Sequence, residues 1–206
     1  MVKYVVFDFD GTLVDSKDVF ISAWNKLADK NSFKQIRSED LEKIKKLSIK
    51  ERGRMLDFPM YKMPVFISQF YKLYKESLQD VHLFDGIKEM LHALEDKGYQ
   101  MAIISSNSRE IIQQFLERND MTTISDVLCS NRIFGKDQLL KRFMKDKGLE
   151  ADDIIYVGDE ERDILACKKT GIPIIWVSWG YDAFEAIEAT NPEYKVYSPE
   201  EILEVI

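Results

Sequence analysis

Val2-Lys3-Tyr4-Val5-Val6-Phe7-Asp8-Phe9-Asp10 runs directly into Gly11-Thr12-Leu13-Val14-Asp15. An apolar, β-branched run of this kind reads as a strand covered on both faces, near the middle of a sheet. It ends, however, in two carboxylates on either side of an aromatic. Burying one unpaired charge is costly and burying two side by side is worse, so Asp8 and Asp10 call for a cation. A metal site answers that need; a turn in which the two acids only cap a helix is the plain alternative. Gly11 permits a backbone with positive φ and Thr12 can cap the next turn of chain, as expected where a strand opens at a ligand crevice.

The 206 residues suffice for one sizeable core, or for one domain carrying an insertion. A net charge of −7 argues against a general nucleic-acid binder, whose affinity rests on neutralising phosphates. No stretch reaches the apolar length of a membrane span, and no basic region with a cleavable apolar segment comes after Met1, so a cytoplasmic location is expected. Cys129 and Cys167 stand alone, without metal-ligand spacing, and read as core packing in a reducing compartment. The charge is unevenly spread. Residues 17–80 hold 14 Lys/Arg against 9 Asp/Glu, the remainder 15 against 27. A basic segment facing an acidic body suits an anionic ligand whose counter-ion is a metal, although most such lysines line solvated helix faces.

Helical spacing begins after Asp15, with Val19, Phe20, Ala23, Trp24 and Leu27 on one stripe. A helix is expected to start at Ser38 with Glu39 and Asp40 and to carry Leu41, Ile44 and Leu47, with further helices from Ile49 to Leu56 and from Pro64 to Leu78. Nothing between 16 and 82 reads as a strand, so this stretch is expected to be an all-helical insertion, with residues 1–15 and 83–206 forming the core. From Phe84 onward strands and helices alternate. Asp85 is the expected N-cap of a helix ending at Lys97-Gly98. Strands are expected at Gln100–Ile104, Asp126–Cys129, Asp153–Val157 and Pro173–Val177, with helices between them and one from Glu200 to Ile206. This alternation implies an α/β, doubly wound, Rossmann-like parallel sheet, with ligands bound beyond the carboxyl ends of its strands.

Four polar clusters occupy those ends: Asp8/Asp10, Ser105/Ser106, Lys136 and Asp159/Asp163. Carboxylates without His or Cys favour Mg²⁺, which typically takes one or two carboxylates and a phosphate oxygen. Hydroxyls and N–H groups at Ser105 and Ser106 suit a phosphate, and Lys136 adds a point charge. The set resembles the haloacid dehalogenase-like hydrolase superfamily along the whole chain. Its DxDGT motif stands as Asp8-Phe9-Asp10-Gly11-Thr12, its strand-end Ser/Thr as Ser105, its Lys as Lys136, and GDxxxD as Gly158-Asp159 to Asp163. The opening motif together with Val177-Ser178-Trp179-Gly180-Tyr181 is similar to the phosphoglycolate phosphatase-like branch, although Asp85 stands where relatives commonly have Pro.

The resemblance implies a phosphatase for a small phosphorylated metabolite. Asp8 would be the nucleophile and Asp10 the acid/base. Ser105, Ser106 and Lys136 would hold the phosphoryl group, and Asp163 would orient Lys136 or a metal-bound water. Asp8, the Asp10 main-chain carbonyl and Asp159 would bind Mg²⁺. Glu160 is open between a partner of that centre and a plain helix-start acid. The helical insertion would be a cap closing over the site, with Lys50, Arg52 and Arg54 as candidates for substrate choice and Arg52 foremost. Phe20 and Trp24 are expected in the cap's core, His82 in the linker and His92 on a helix surface. Acid at position 10 argues against a dehalogenase. Sugar phosphomutases of the family carry His where Phe20 stands, which leaves a mutase second to a hydrolase. A non-catalytic phosphate binder comes last. Both a monomer and a homodimer are compatible with the sequence.

Overall fold

The computed structural model describes residues 2–130 and 135–206. Strand β1 (Tyr4–Phe7) leads to the short β2 (Val14–Asp15), then to helices α1 (Lys17–Asn31), α2 (Leu41–Lys45), α3 (Ile49–Met55) and α4 (Met63–Glu76), and to β3 (His82–Leu83). Helices and strands then alternate: α5 (Ile87–Asp96), β4 (Gln100–Ser105), α6 (Arg109–Arg118), β5 (Ile124–Cys129), α7 (Lys136–Lys147), β6 (Ile154–Gly158), α8 (Glu161–Thr170), β7 (Ile174–Val177), α9 (Phe184–Ile187), β8 (Tyr194–Val196) and α10 (Pro199–Val205).

Six strands form one parallel sheet in the order β5-β4-β1-β6-β7-β8. All four residues of β1 are buried. Their side chains alternate: Val5 and Phe7 enter one apolar layer with α5, α6 and α10, while Tyr4 and Val6 enter the other with α7 and α8. The chain leaves β1 toward β4 on one side and later returns as β6 on the other. The carboxyl end of β1 is therefore the switch point, where loops diverge and leave a crevice.

The helices between residues 17 and 80 have an apolar cluster of their own, formed by Trp24, Ala28, Ile36, Leu56 and Phe58 with partly buried neighbours such as Ile21, Phe66 and Phe70. They join the sheet through a two-stranded antiparallel ribbon in which Val14 pairs with Leu83 and Asp15 with His82. This puts His82, read as a linker residue, in a strand.

Several local expectations change. Asp85 does not cap α5: Gly86 stands at the N-cap with φ 82°, and no side chain caps that end. Phe20 is 38% exposed and packs at a tilt against Phe70 and Tyr181 instead of filling a core. Strand β8 and helix α9 lie outside the sequence expectations. β8 buries only Val196, so its three residues show neither an apolar run nor a sustained alternation. Both cysteines are free, with Cys167 buried and Cys129 half-buried. Among the described residues, no helix is long and apolar enough to cross a membrane.

Candidate active site

The site is built where β1, β4, β6 and α7 end or begin. The Asp8 main chain continues the sheet by donating to Val157 O, and its side-chain Oδ1 accepts from Phe9 N at 2.7 Å. Asp8 Oδ2 points to Lys136 Nζ at 2.5 Å, in a geometry that makes an ion pair but no hydrogen bond. Lys136, the first residue of α7, also meets Asp163 Oδ1 at 2.5 Å. Its burial opposes a charge, but Asp163 and Asp8 outweigh that effect and hold the ammonium's pKa above its ordinary value. Burial lifts Asp163 to about 6, and the Lys136 charge keeps it from rising further.

Asp10 lies in the loop after β1, turned by Gly11 at φ 77°. Its carboxylate is surrounded by neutral donors: Ser16 Oγ at 2.7 Å and Tyr74 OH at 2.6 Å to Oδ1, and Asn107 Nδ2 at 2.8 Å to Oδ2. Desolvation raises its pKa despite these three contacts. Ser16 Oγ also shares a hydrogen bond with Tyr181 OH at 2.6 Å. Burial thus favours a proton on Asp10, which has no charged partner among the described residues, whereas Asp8 lies against the buried Lys136 ammonium.

Ser105 closes β4, and Ser105, Ser106 and Asn107 are all buried. Asn107 N donates to Ser105 Oγ, and Ser106 Oγ accepts from Arg162 Nη1 at 2.8 Å. From the helical insert, Tyr71 OH donates to Ser106 O at 2.6 Å.

Beyond β6, the fully buried Asp159 accepts from Thr12 Oγ1 at 2.9 Å and from Tyr181 N at 2.7 Å. Gly11 and Gly180 crowd it so closely that a Cβ at either position would collide with its side chain. Among the described residues no cation pairs with Asp159. Burial, with Glu160 and Asp8 nearby, pushes its pKa well up. Glu160 differs, because Arg162 grips it and, with Arg52 and Lys136, holds its pKa below the ordinary value in spite of burial.

Among the described residues, the acids whose oxygens lie within 4.8 Å of one another are Asp8, Glu160 and Asp163, a group that does not include Asp159. Asp163 and Glu160 already have Lys136 and Arg162 as counter-charges; Asp159 has neutral donors alone. A buried carboxylate in that state, beside Asp8 and among hard oxygen ligands, fits a divalent cation of the Mg²⁺ type.

Of the three basic candidates on the insert, Lys50 and Arg54 are exposed and away from the crevice. Arg52 lines it, but its guanidinium is taken up by an ion pair with Asp182 and a hydrogen bond to Ile44 O at 2.9 Å. It thus fastens the insert to the loop after β7 and does not present a free charge. The residues that sequence reading does not single out are Ser16, Tyr71, Tyr74, Asn107, Arg162 and Tyr181. Asn107 carries a usable signal, since it sits within the polar end of β4; Tyr71 and Tyr74 look like members of an apolar helix stripe.

A curated phosphoglycolate phosphatase of Synechococcus elongatus is 26% identical over all of this chain and 97% of its own length. A pyrophosphatase of Bacillus mycoides is 20% identical, again over the whole chain and 97% of its length. Among solved structures, a predicted phosphatase from Clostridium acetobutylicum superposes with a TM-score of 0.84 at 24% identity, covering 99% of both chains. A haloacid dehalogenase-like hydrolase from Streptococcus pneumoniae gives 0.83 at 18%, covering 99% of this chain and 98% of its own. The sequence profile of the haloacid dehalogenase-like hydrolases matches residues 5–177, which include all four strand-end clusters, and the chain belongs to that family.

Proposed function

We propose that the chain is a Mg²⁺-dependent phosphatase that hydrolyses a small phosphate monoester through an aspartyl-phosphate on Asp8. The observation that carries this reading is the pair of unlike acids on one floor: Asp8 Oδ2 lies against Lys136, whereas Asp10 faces no cation among the described residues, and its burial raises its pKa against the pull of three neutral donors.

An Asp8 oxygen attacks phosphorus, and the bond from phosphorus to the ester oxygen breaks. Asp10 gives its proton to the departing alkoxide, so the alcohol leaves neutral. A water then attacks phosphorus, Asp10 takes its proton back, and the bond to Asp8 breaks to free phosphate. Ser105 and the main chain at Ser106 would hold phosphoryl oxygens, while Lys136 would neutralise charge beside Asp8. Asp163 positions Lys136, and Tyr74 and Ser16 position the Asp10 carboxyl. Asp8, Asp159 and the Asp10 carbonyl would hold Mg²⁺, which supplies charge shielding between the nucleophile and the anion it attacks.

The names of the relatives, phosphoglycolate phosphatase and pyrophosphatase, support a small phosphorylated substrate. The helical insert serves as the cap of this site. With p-nitrophenyl phosphate and Mg²⁺, the protein is expected to release nitrophenol, and chelation or Asp8→Asn should reduce turnover at least about a thousandfold. Undiminished turnover by a folded Asp8→Asn protein would end the proposal.

A further inference from the structure

The cavity above Asp8 and Asp10 does not stop at the catalytic floor. A continuous space of about 210 Å³ runs from Asp8, Asp10 and Ser105 up between the helices of the insert. Its walls there are mostly apolar, with Phe20, Trp24, Phe58 and Phe70 among them, joined by Met60 and Met63. The two arginines that line it are held by acids, Arg52 by Asp182 and Arg162 by Glu160, leaving Lys17 and Lys45 as its other cations.

Protein interiors are packed nearly as densely as organic crystals, and apolar voids larger than a water are few. Here an apolar space opens onto the reacting carboxylates instead of being filled. Methionines at its wall are the adaptable side chains that suit variable apolar occupants. Away from Lys17 and Lys45, a second anionic group would meet mostly apolar walls between these helices.

We propose that this cavity receives the leaving group of the substrate, and that the preferred ester is therefore a phosphate monoester of an apolar alcohol, an alkyl chain or an aromatic ring. The inference rests on the phosphatase reading above and narrows it. The phosphoryl group sits on the floor at Asp8 and Ser105, and the ester oxygen faces Asp10. The carbon skeleton runs along Phe20 and Phe70 toward Trp24.

The test is kcat/KM for a series of n-alkyl phosphates from ethyl to octyl, with phosphoglycolate alongside, on the Mg²⁺-loaded full chain. Each added methylene should raise kcat/KM about fourfold until the cavity is full. Octyl phosphate should surpass phosphoglycolate. The variant Ile67→Trp, which narrows the lining on α4, should lower the octyl-to-ethyl ratio at least tenfold, a ratio that is insensitive to the fraction of folded protein. Octylphosphonate, which is not hydrolysed, should alter Trp24 emission at lower concentration than ethylphosphonate, and Trp24→Phe should remove the signal. A flat chain-length profile, or phosphoglycolate ahead of every alkyl ester, overturns the inference while leaving the phosphatase reading intact. No hydrolysis of any ester overturns both.

Discussion

Asp10 is the residue on which the acid/base half of the proposal depends, and its environment is made largely by side chains far away in sequence. Tyr74 OH donates to Oδ1 and Asn107 Nδ2 to Oδ2, so a helix of the insert and the end of β4 fix its orientation together. The Tyr74 contact favours the charged carboxylate, opposing the burial that raises its pKa. Replacing Tyr74 by Phe should therefore lower kcat about tenfold, the scale of one lost hydrogen bond. It should also move the alkaline limb of the kcat profile to higher pH, because the protonated acid survives longer once that donor is gone. A rate loss with an unmoved limb would show that Tyr74 acts only on packing. Asp8, Asp10, Ser105 and Asp159 are legible in the sequence as polar residues at or just past the end of an apolar run, whereas Lys136 is read from its place after Gly135 and before a helix, and Asp163 from the spacing Gly158-Asp159 to Asp163. Tyr74 is not, because a phenol within an apolar helical stripe carries no mark of where its hydroxyl points.

At the scale of elements, the insert is fastened to the core by contacts at both ends of its cavity. Arg52 of α3 pairs with Asp182 after β7, while Tyr71 and Tyr74 of α4 reach Ser106 and Asp10. Arg52 reads in the sequence as a substrate ligand because its charge lies in a basic segment; Asp182, 130 residues away, gives no local sign of being its partner. Truncating one member of a buried pair leaves the other uncompensated. Arg52→Met should cost about 2 kcal/mol of unfolding free energy near pH 8, measured by urea titration. Asp182 sets the sign of the pH dependence. Arg52 lowers its pKa, whereas burial raises it to about 6. Without Arg52 the folded-state pKa rises further, the folded variant takes up a proton more readily than the unfolded chain, and the deficit shrinks as pH falls toward 5. A deficit unchanged between pH 8 and 5 would rule out Asp182 as the group left unpaired. Strand β8 shows the limit of pattern reading for an edge element, because one buried valine is enough to seat it once β7 offers a free edge.

Across the whole molecule, the parallel sheet can be read in advance because both its faces are covered. Covered strands such as Ile154–Gly158 and Ile174–Val177 become apolar runs that stand out from their helices. The seating of the helices between residues 17 and 80 over the switch point cannot, since that placement depends on long-range pairs such as Lys75–Glu110 and Arg52–Asp182. The same placement sets the apolar cavity directly above the acids. All of this chemistry assumes that phosphorus is transferred to Asp8. Quenching the enzyme with hydroxylamine during turnover of p-nitrophenyl phosphate, then locating the product by peptide mass analysis, tests that step directly. The account predicts a hydroxamate on the peptide at Asp8, lost in Asp8→Asn. Steady turnover with the adduct absent, or with the adduct at another acid, would contradict it.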